Sequence, residues 1–152
     1  MGKINLGRAI LGGLVAGVVI NIFEGVTNGV ILAHDWSDAM MGLQRHAAST
    51  KQIIAFNIWG FAMGFLTIAL YVAMRPRFGA GPATALRAGF FMWVVGFALA
   101  NFTPVVLHLF PITLVAESTA VELVAVLLAA LAGAWIYKED AAASVRVAAA
   151  RA

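Results

Sequence analysis

The chain of 152 residues contains no cysteine, which excludes disulfide scaffolds, thiol redox chemistry and cysteine-held metal sites. Charge is scarce: 11% of the residues are Asp, Glu, Lys or Arg, against roughly 25% in an ordinary soluble domain. No Gly-x-Ser-x-Gly elbow, phosphate-binding loop or pair of carboxylates at a catalytic spacing occurs. The Ser, His and Asp residues are too scattered to make a triad, so no motif supports an enzyme. What fills the chain instead is apolar side chain, 62% of all residues, with a mean hydropathy of +0.94. A 16.0 kDa globule has too little interior to bury it. The expected solvent is therefore a bilayer, and the pI near 9.8 does not make this a nucleic-acid module.

A helix rises about 1.5 Å per residue, so crossing about 30 Å of hydrocarbon takes about 20 predominantly apolar residues. Four runs qualify: 9–33, 53–74, 88–110 and 112–137. The first follows Lys3 and Arg8 as a signal peptide would, but it is too long for an h-region and no Ala-x-Ala site follows it, so it is expected to stay as an anchor. The expected fold is all-α: one four-helix transmembrane bundle over 1–140 with a cytoplasmic tail over 141–152. The Ala-rich sequence from Lys138 is expected to prolong helix four.

Four crossings put Lys3, Arg8, Arg75, Arg77, Arg87, Lys138, Arg146 and Arg151 on one side, and only Arg45 and Lys51 on the other. By the positive-inside bias, both termini are expected in the cytoplasm of a multi-pass inner-membrane protein. Trp36 on one face, with Trp135 and Tyr137 on the other, fits interfacial anchoring. The second loop, 75–82, is full of helix breakers and makes helices two and three antiparallel neighbours. In the long first loop, 34–52, Asp35-Trp-Ser-Asp38 reads as a helix cap. Ala39, Met40, Met41 and Leu43 then form the apolar side of a short extracytoplasmic interfacial helix.

Polar groups inside the spans should face protein or trapped water, so their spacing marks the bundle interior. On helix one, Gly13, Gly17, Asn21, Glu24 and Asn28 share one face; on helix two, Asn57, Gly60, Gly64, Thr67 and Tyr71 do the same. Helix three contributes Phe97, Asn101, Pro104 and His108, and helix four Ser118, Glu122, Ala125, Ala129 and Ala132. Gly13/Gly17 and Gly60/Gly64 are small-xxx-small pairs that let backbones approach closely, within the chain or in a dimer. Pro104 removes a hydrogen bond to Ala100 and is expected to kink helix three.

The expected intramembrane polar site comprises Asn21, Glu24, Asn28, Asn57, Asn101, His108 and Glu122, open to the outside, with His34, Asp35 and Glu117 at its outer mouth. Glu24 stands out, because a carboxylate near the bilayer centre costs about 2.5 to 3.5 kcal/mol on insertion scales. Its structural alternative is a hydrogen bond to Asn21 or Asn28. The place of Glu122 depends on where helix four begins. From Thr113 it lies at membrane depth; from Thr119, Thr119-Ala-Val-Glu122 is a capping box. No His-x3-His or His-Glu-x2-His spacing supports a metal site, and no metal or other cofactor is identified.

With these spans laid out, the chain resembles small bacterial four-helix membrane proteins grouped as domains of unknown function. The segments that carry this are Asn28-Gly-Val-Ile-Leu-Ala-His-Asp-Trp36 with the methionine-rich loop, and Ala88-Gly-Phe-Phe-Met-Trp-Val-Val-Gly-Phe97. The resemblance implies a bacterial inner-membrane protein and carries no activity. Small multidrug exporters also have four spans and a glutamate in helix one, but the lysine and Ser-x-Gly-Phe segment that follow theirs are missing here. Eicosanoid-type membrane transferases share the span count, but not their glutamate-asparagine signature. Three function classes follow. The first is an accessory subunit or interaction protein of a larger membrane assembly or homo-oligomer. The second is a small proton-coupled transporter or ligand-binding bundle using Glu24. The third is a membrane enzyme with His108 and Glu117 as acid and base.

Overall fold

The structure is a computed structural model and describes residues 4–138. The tail expected over 141–152, and Lys3, Arg146 and Arg151, lie outside the described residues. Those described form helices and no strand. α1 spans Leu6–Val26, α2 Ala33–Gly42, α3 Thr50–Phe78, α4 Pro82–Trp93, α5 Leu99–Val106 and α6 Ile112–Ile136. Wide turns prolong α1 over Thr27–Ile31 and join α4 to α5 over Val94–Ala98; in them the amides of Leu32 and Leu99 reach back five residues, to the carbonyls of Thr27 and Val94. Counting these turns, four helices are long and apolar enough to cross a membrane: Leu6–Ile31, Thr50–Phe78, Pro82–Val106 and Ile112–Ile136.

Each boundary has a local cause. Asn5 caps α1, its side chain accepting from the Arg8 amide at 3.0 Å. Asp35 and Asp38, expected to cap the short helix, lie inside α2 because the chain turns back into helix at Leu32. The reciprocal capping box is instead Ser49 with Gln52, and it starts α3 earlier than expected. The expected loop over 75–82 shrinks to residues 79–81. Pro76 sits near the end of α3, and Pro82 occupies the first turn of α4, where its missing N–H is an orphan in any case. Gly79 and Gly81 make the reversal at φ 81° and 130°.

Helix three therefore starts at Pro82 rather than 88 and ends at Val106, leaving His108 outside it at φ 52°. It runs through Pro104, and its wide turn falls earlier, at Val94–Ala98. α6 starts at Ile112 after Pro111, so Thr119 and Glu122 are interior residues and no capping box forms there. It stops at Ile136, with Tyr137 extended, so Lys138 does not prolong it.

The spans pack antiparallel to their chain neighbours, and α6 returns beside α1. Gly13 and Gly17 lie against Phe61, Phe65 and Gly64 of α3, while Gly12 lies against Gly133 of α6. Gly89 meets Val126 and Ala130 of α6. The core is correspondingly small-grained, with Ala16, Ile20, Ile68, Ala88, Val126 and Ala129 buried. Outward faces carry Phe56, Ile58, Leu66, Phe91, Leu99, Phe102 and Trp135, all exposed. Water solvates such a surface poorly and lipid solvates it well, as a multi-pass membrane protein requires.

Candidate functional site

Near the α2 end of the bundle, the last turn of α1 lies against the first turns of α6. The wide turn presents Asn28, with Glu24 four residues before it. α6 presents Ser118 and Glu122, also four residues apart, and α2 brings in Trp36. These five side chains form one chain of hydrogen bonds. Trp36 Nε1 donates to Asn28 Oδ1 at 2.9 Å, and Asn28 Nδ2 donates to Glu24 Oε2 at 2.8 Å. Ser118 Oγ lies 3.0 Å from Asn28 Oδ1 and 3.3 Å from Glu122 Oε1.

Counting protons constrains this chain. An indole N–H can only donate, so Trp36 fixes the carbonyl oxygen of Asn28 toward itself and Ser118. Ser118 then faces two acceptors with one proton. Both contacts are satisfied together only when Ser118 donates to Asn28 and a protonated Glu122 donates to Ser118. Glu122 is 8% exposed, and its Oε2 is buried without a hydrogen-bond partner. It lines, with Glu24, Thr27, Asn28, Ser118 and apolar neighbours, a narrow gap with no place for a water molecule. Glu24 and Glu122 are the titratable groups of that lining.

Above this cluster a groove of about 930 Å3 opens between α2, the α5–α6 connection and the start of α6. Its lining combines the polar Asp35, Asp38, His108 and Glu117 with the apolar Leu43, Leu109, Phe110 and Leu114. Phe110 packs edge-on against Trp36, ring centroids 5.3 Å apart, so one side chain touches both the groove wall and the polar chain.

The residues expected to share one intramembrane site divide among three seams. Glu24, Asn28 and Glu122 come together as described. Asn21 instead donates to the carbonyls of Gly17 at 2.9 Å and Asn57 at 3.2 Å, spending both amide protons on the α1–α3 seam. Asn57 donates to Ile53 O at 2.8 Å in its own helix. Asn101 donates to Thr119 Oγ1 at 2.8 Å, and Trp93 Nε1 to Thr119 O at 2.9 Å, tying α4 and α5 to α6. His108 reaches the groove lining together with Asp35 and Glu117. His34 lies on α2 with its Nδ1 3.2 Å from Asp38 Oδ2; Asp38 lines the groove and His34 does not.

Sequence reasoning placed Ser118 on the polar stripe and Trp36 at an interface but gave neither a site role. The signal available was the four-residue step from Ser118 to Glu122. Among the described residues, no three His, Asp or Glu side chains come close enough to hold a metal ion. The chain matches no protein-family model, no curated protein and no solved structure.

Proposed function

We propose that this is an integral protein of the bacterial cytoplasmic membrane that binds and releases a proton at the Glu24–Glu122 pair, as a small proton-coupled carrier or ligand-binding bundle. The observation that carries the reading is Glu122: a nine-tenths buried carboxyl with one oxygen lacking a partner, facing a second carboxyl across a space too tight for water. Ionisable groups at membrane depth are costly and mark proton or substrate paths. Neither carboxyl has a cation beside it in that lining, so a proton is the charge it accommodates.

The eight-to-two distribution of Lys and Arg in the sequence supports an orientation with both termini in the cytoplasm. The α2 end then faces outward, α2 lies at the outer interface, and the groove opens to the outside above the carboxyl pair.

The test is infrared difference spectroscopy of the protein in lipid nanodiscs as pH is stepped. A protonated-carboxyl band should appear and vanish with pH, and Glu122→Gln should remove it while the helices stay intact. A spectrum without such a band, or one that Glu122→Gln leaves unchanged, refutes the proton site.

A further inference from the structure

We propose that Ser118 is a positioning residue that transmits the protonation state of Glu122 to Asn28 and Trp36, and through Trp36 to the α2 wall of the groove. This rests on the proton site of the preceding section and concerns how that site is coupled to the groove. Its basis is the single hydroxyl proton of Ser118, set between two oxygen acceptors on different helices.

With a proton on Glu122, the chain is complete from end to end. Glu122 donates to Ser118, Ser118 to Asn28 Oδ1, and the same oxygen accepts from Trp36. When that proton leaves, Ser118 turns its own proton toward the carboxylate, because a charge-assisted bond is roughly twice as strong as a neutral one. Ser118 Oγ and Asn28 Oδ1 then stand 3.0 Å apart with no proton between them, and two oxygen lone pairs repel at that distance. Asn28 cannot relieve this by flipping its amide, since Trp36 would then meet an NH2 group and lose its acceptor. The strain moves Asn28, and Trp36 moves with it.

What Asn28 and Trp36 are attached to makes the movement consequential. Asn28 sits in the wide turn Thr27–Ile31, a helix segment whose register differs from its surroundings. Trp36 belongs to α2, whose Asp35, Asp38, Ala39 and Gly42, with Leu43 just after it, form one wall of the groove, and its ring rests on Phe110 of the facing wall. Proton loss at Glu122 therefore alters the width of the groove, and by linkage a ligand that spreads the groove alters proton binding by the same factor. The polar groups that line the space with Glu122 come from two helices: the first, with its wide turn, supplies Glu24, Thr27 and Asn28, and α6 supplies Ser118. Of these only Glu24 is charged or titratable, and it is bonded to the same Asn28, so its charge state enters through the same amide.

The test follows the indole N–H resonance of Trp36 by NMR in nanodiscs as pH is stepped, assigned by its loss in Trp36→Phe, beside the infrared carboxyl band on the same samples. In the unaltered protein the resonance and the band should titrate together. Ser118→Ala should keep the band and abolish the pH dependence of the resonance, and Ser118→Thr, which restores a hydroxyl, should bring it back. A Trp36 resonance that still follows pH in Ser118→Ala overturns the relay, as does one that never moves while the band titrates. Should Ser118→Ala fail to fold, Asn28→Leu serves instead, and it must likewise uncouple the resonance from the band. Absence of the band in the unaltered protein defeats the proton site itself, so the two failures are told apart.

Discussion

Replacing Gly64 by alanine adds one methyl group at the point where α1 and α3 approach most closely. Its Cβ would lie 2.6 Å from Gly17 Cα and 2.7 Å from Gly13 O, both backbone atoms that cannot rotate aside. Non-bonded contact begins near 3.5 Å, so the two helices must part by about 1 Å. A gap of that size forfeits a quarter to a half of the dispersion attraction of the atoms along it. In lipid there is little else to hold two apolar helices together, because no water is released when they meet. Overpacking of this kind costs about 1 to 3 kcal/mol.

The matched control is Gly25→Ala, on the same face-to-lipid helix α1, where an added Cβ meets nothing within 4 Å. Unfolding titrations in mixed micelles, followed by circular dichroism, should show Gly64→Ala unfolding at a distinctly lower denaturing-detergent fraction and Gly25→Ala near the unaltered midpoint. Equal midpoints for the two variants would refute the reasoning. If the glycine face served a second copy of the chain instead, Gly64→Ala would lower the dimer fraction and leave the monomer midpoint where it was.

Three further outcomes are expected. Asn101→Leu removes the 2.8 Å bond to Thr119 and should cost about 0.6 kcal/mol and no more than about 1.7, the average and the maximum for interhelical bonds in a membrane; adding Thr119→Ala should change little more, and a fully additive double variant would show that the bond is not formed. Ser49→Ala breaks the capping box of α3 and should cost about 1 kcal/mol, read as faster amide exchange at Gln52; unchanged exchange there would contradict it. Gly81→Ala places a side chain at φ 130° and ψ −179°, a region essentially reserved for glycine, and should cost about 1 to 3 kcal/mol in the same detergent titration; an unshifted midpoint would mean that the turn at residues 79–81 relaxes without strain.

The four long helices were legible because hydrocarbon thickness sets a length that predominantly apolar runs either reach or do not. Their ends were less so, since one residue type carries opposite meanings by position. Pro82 read as a breaker and serves as a first-turn residue; Thr119-Ala-Val-Glu122 and Ser49-Thr-Lys-Gln52 both have the capping-box pattern, and only the second is used. The difference lies in context: Pro111 has already started α6 at Ile112, which leaves no free amides at Thr119 to cap. The polar stripe was readable helix by helix, but a stripe gives an angle and not a neighbour. Asn21 turned toward α3 and Asn28 toward α6, although both lie on one predicted face. Which of them would meet a partner 90 residues away depends on the register of α1 against α6, and that is set by the approach of Gly12 to Gly133 at the other end of both helices.

That division along α1 bears on why the carboxyl pair is there at all. Toward its start, α1 is held by backbone lying directly on backbone at Gly12, Gly13 and Gly17, contacts that no larger side chain reproduces. Toward its end, it is held by the hydrogen bonds of Asn28 to Trp36 and Ser118. Adhesion of the second kind is replaceable: exchanging both partners of a buried hydrogen bond for apolar groups of the same shape is close to neutral. A leucine at position 122 would fill the same space against Val121 and Ala125 without leaving an oxygen unpartnered. Stability alone therefore favours an apolar seam at this point. The seam retains two carboxyls and a serine with one proton for two acceptors, an arrangement whose hydrogen bonds change when a single proton arrives or departs. Sensitivity to that proton is what the polar residues supply and apolar ones cannot, and it is the property on which the proposed function depends.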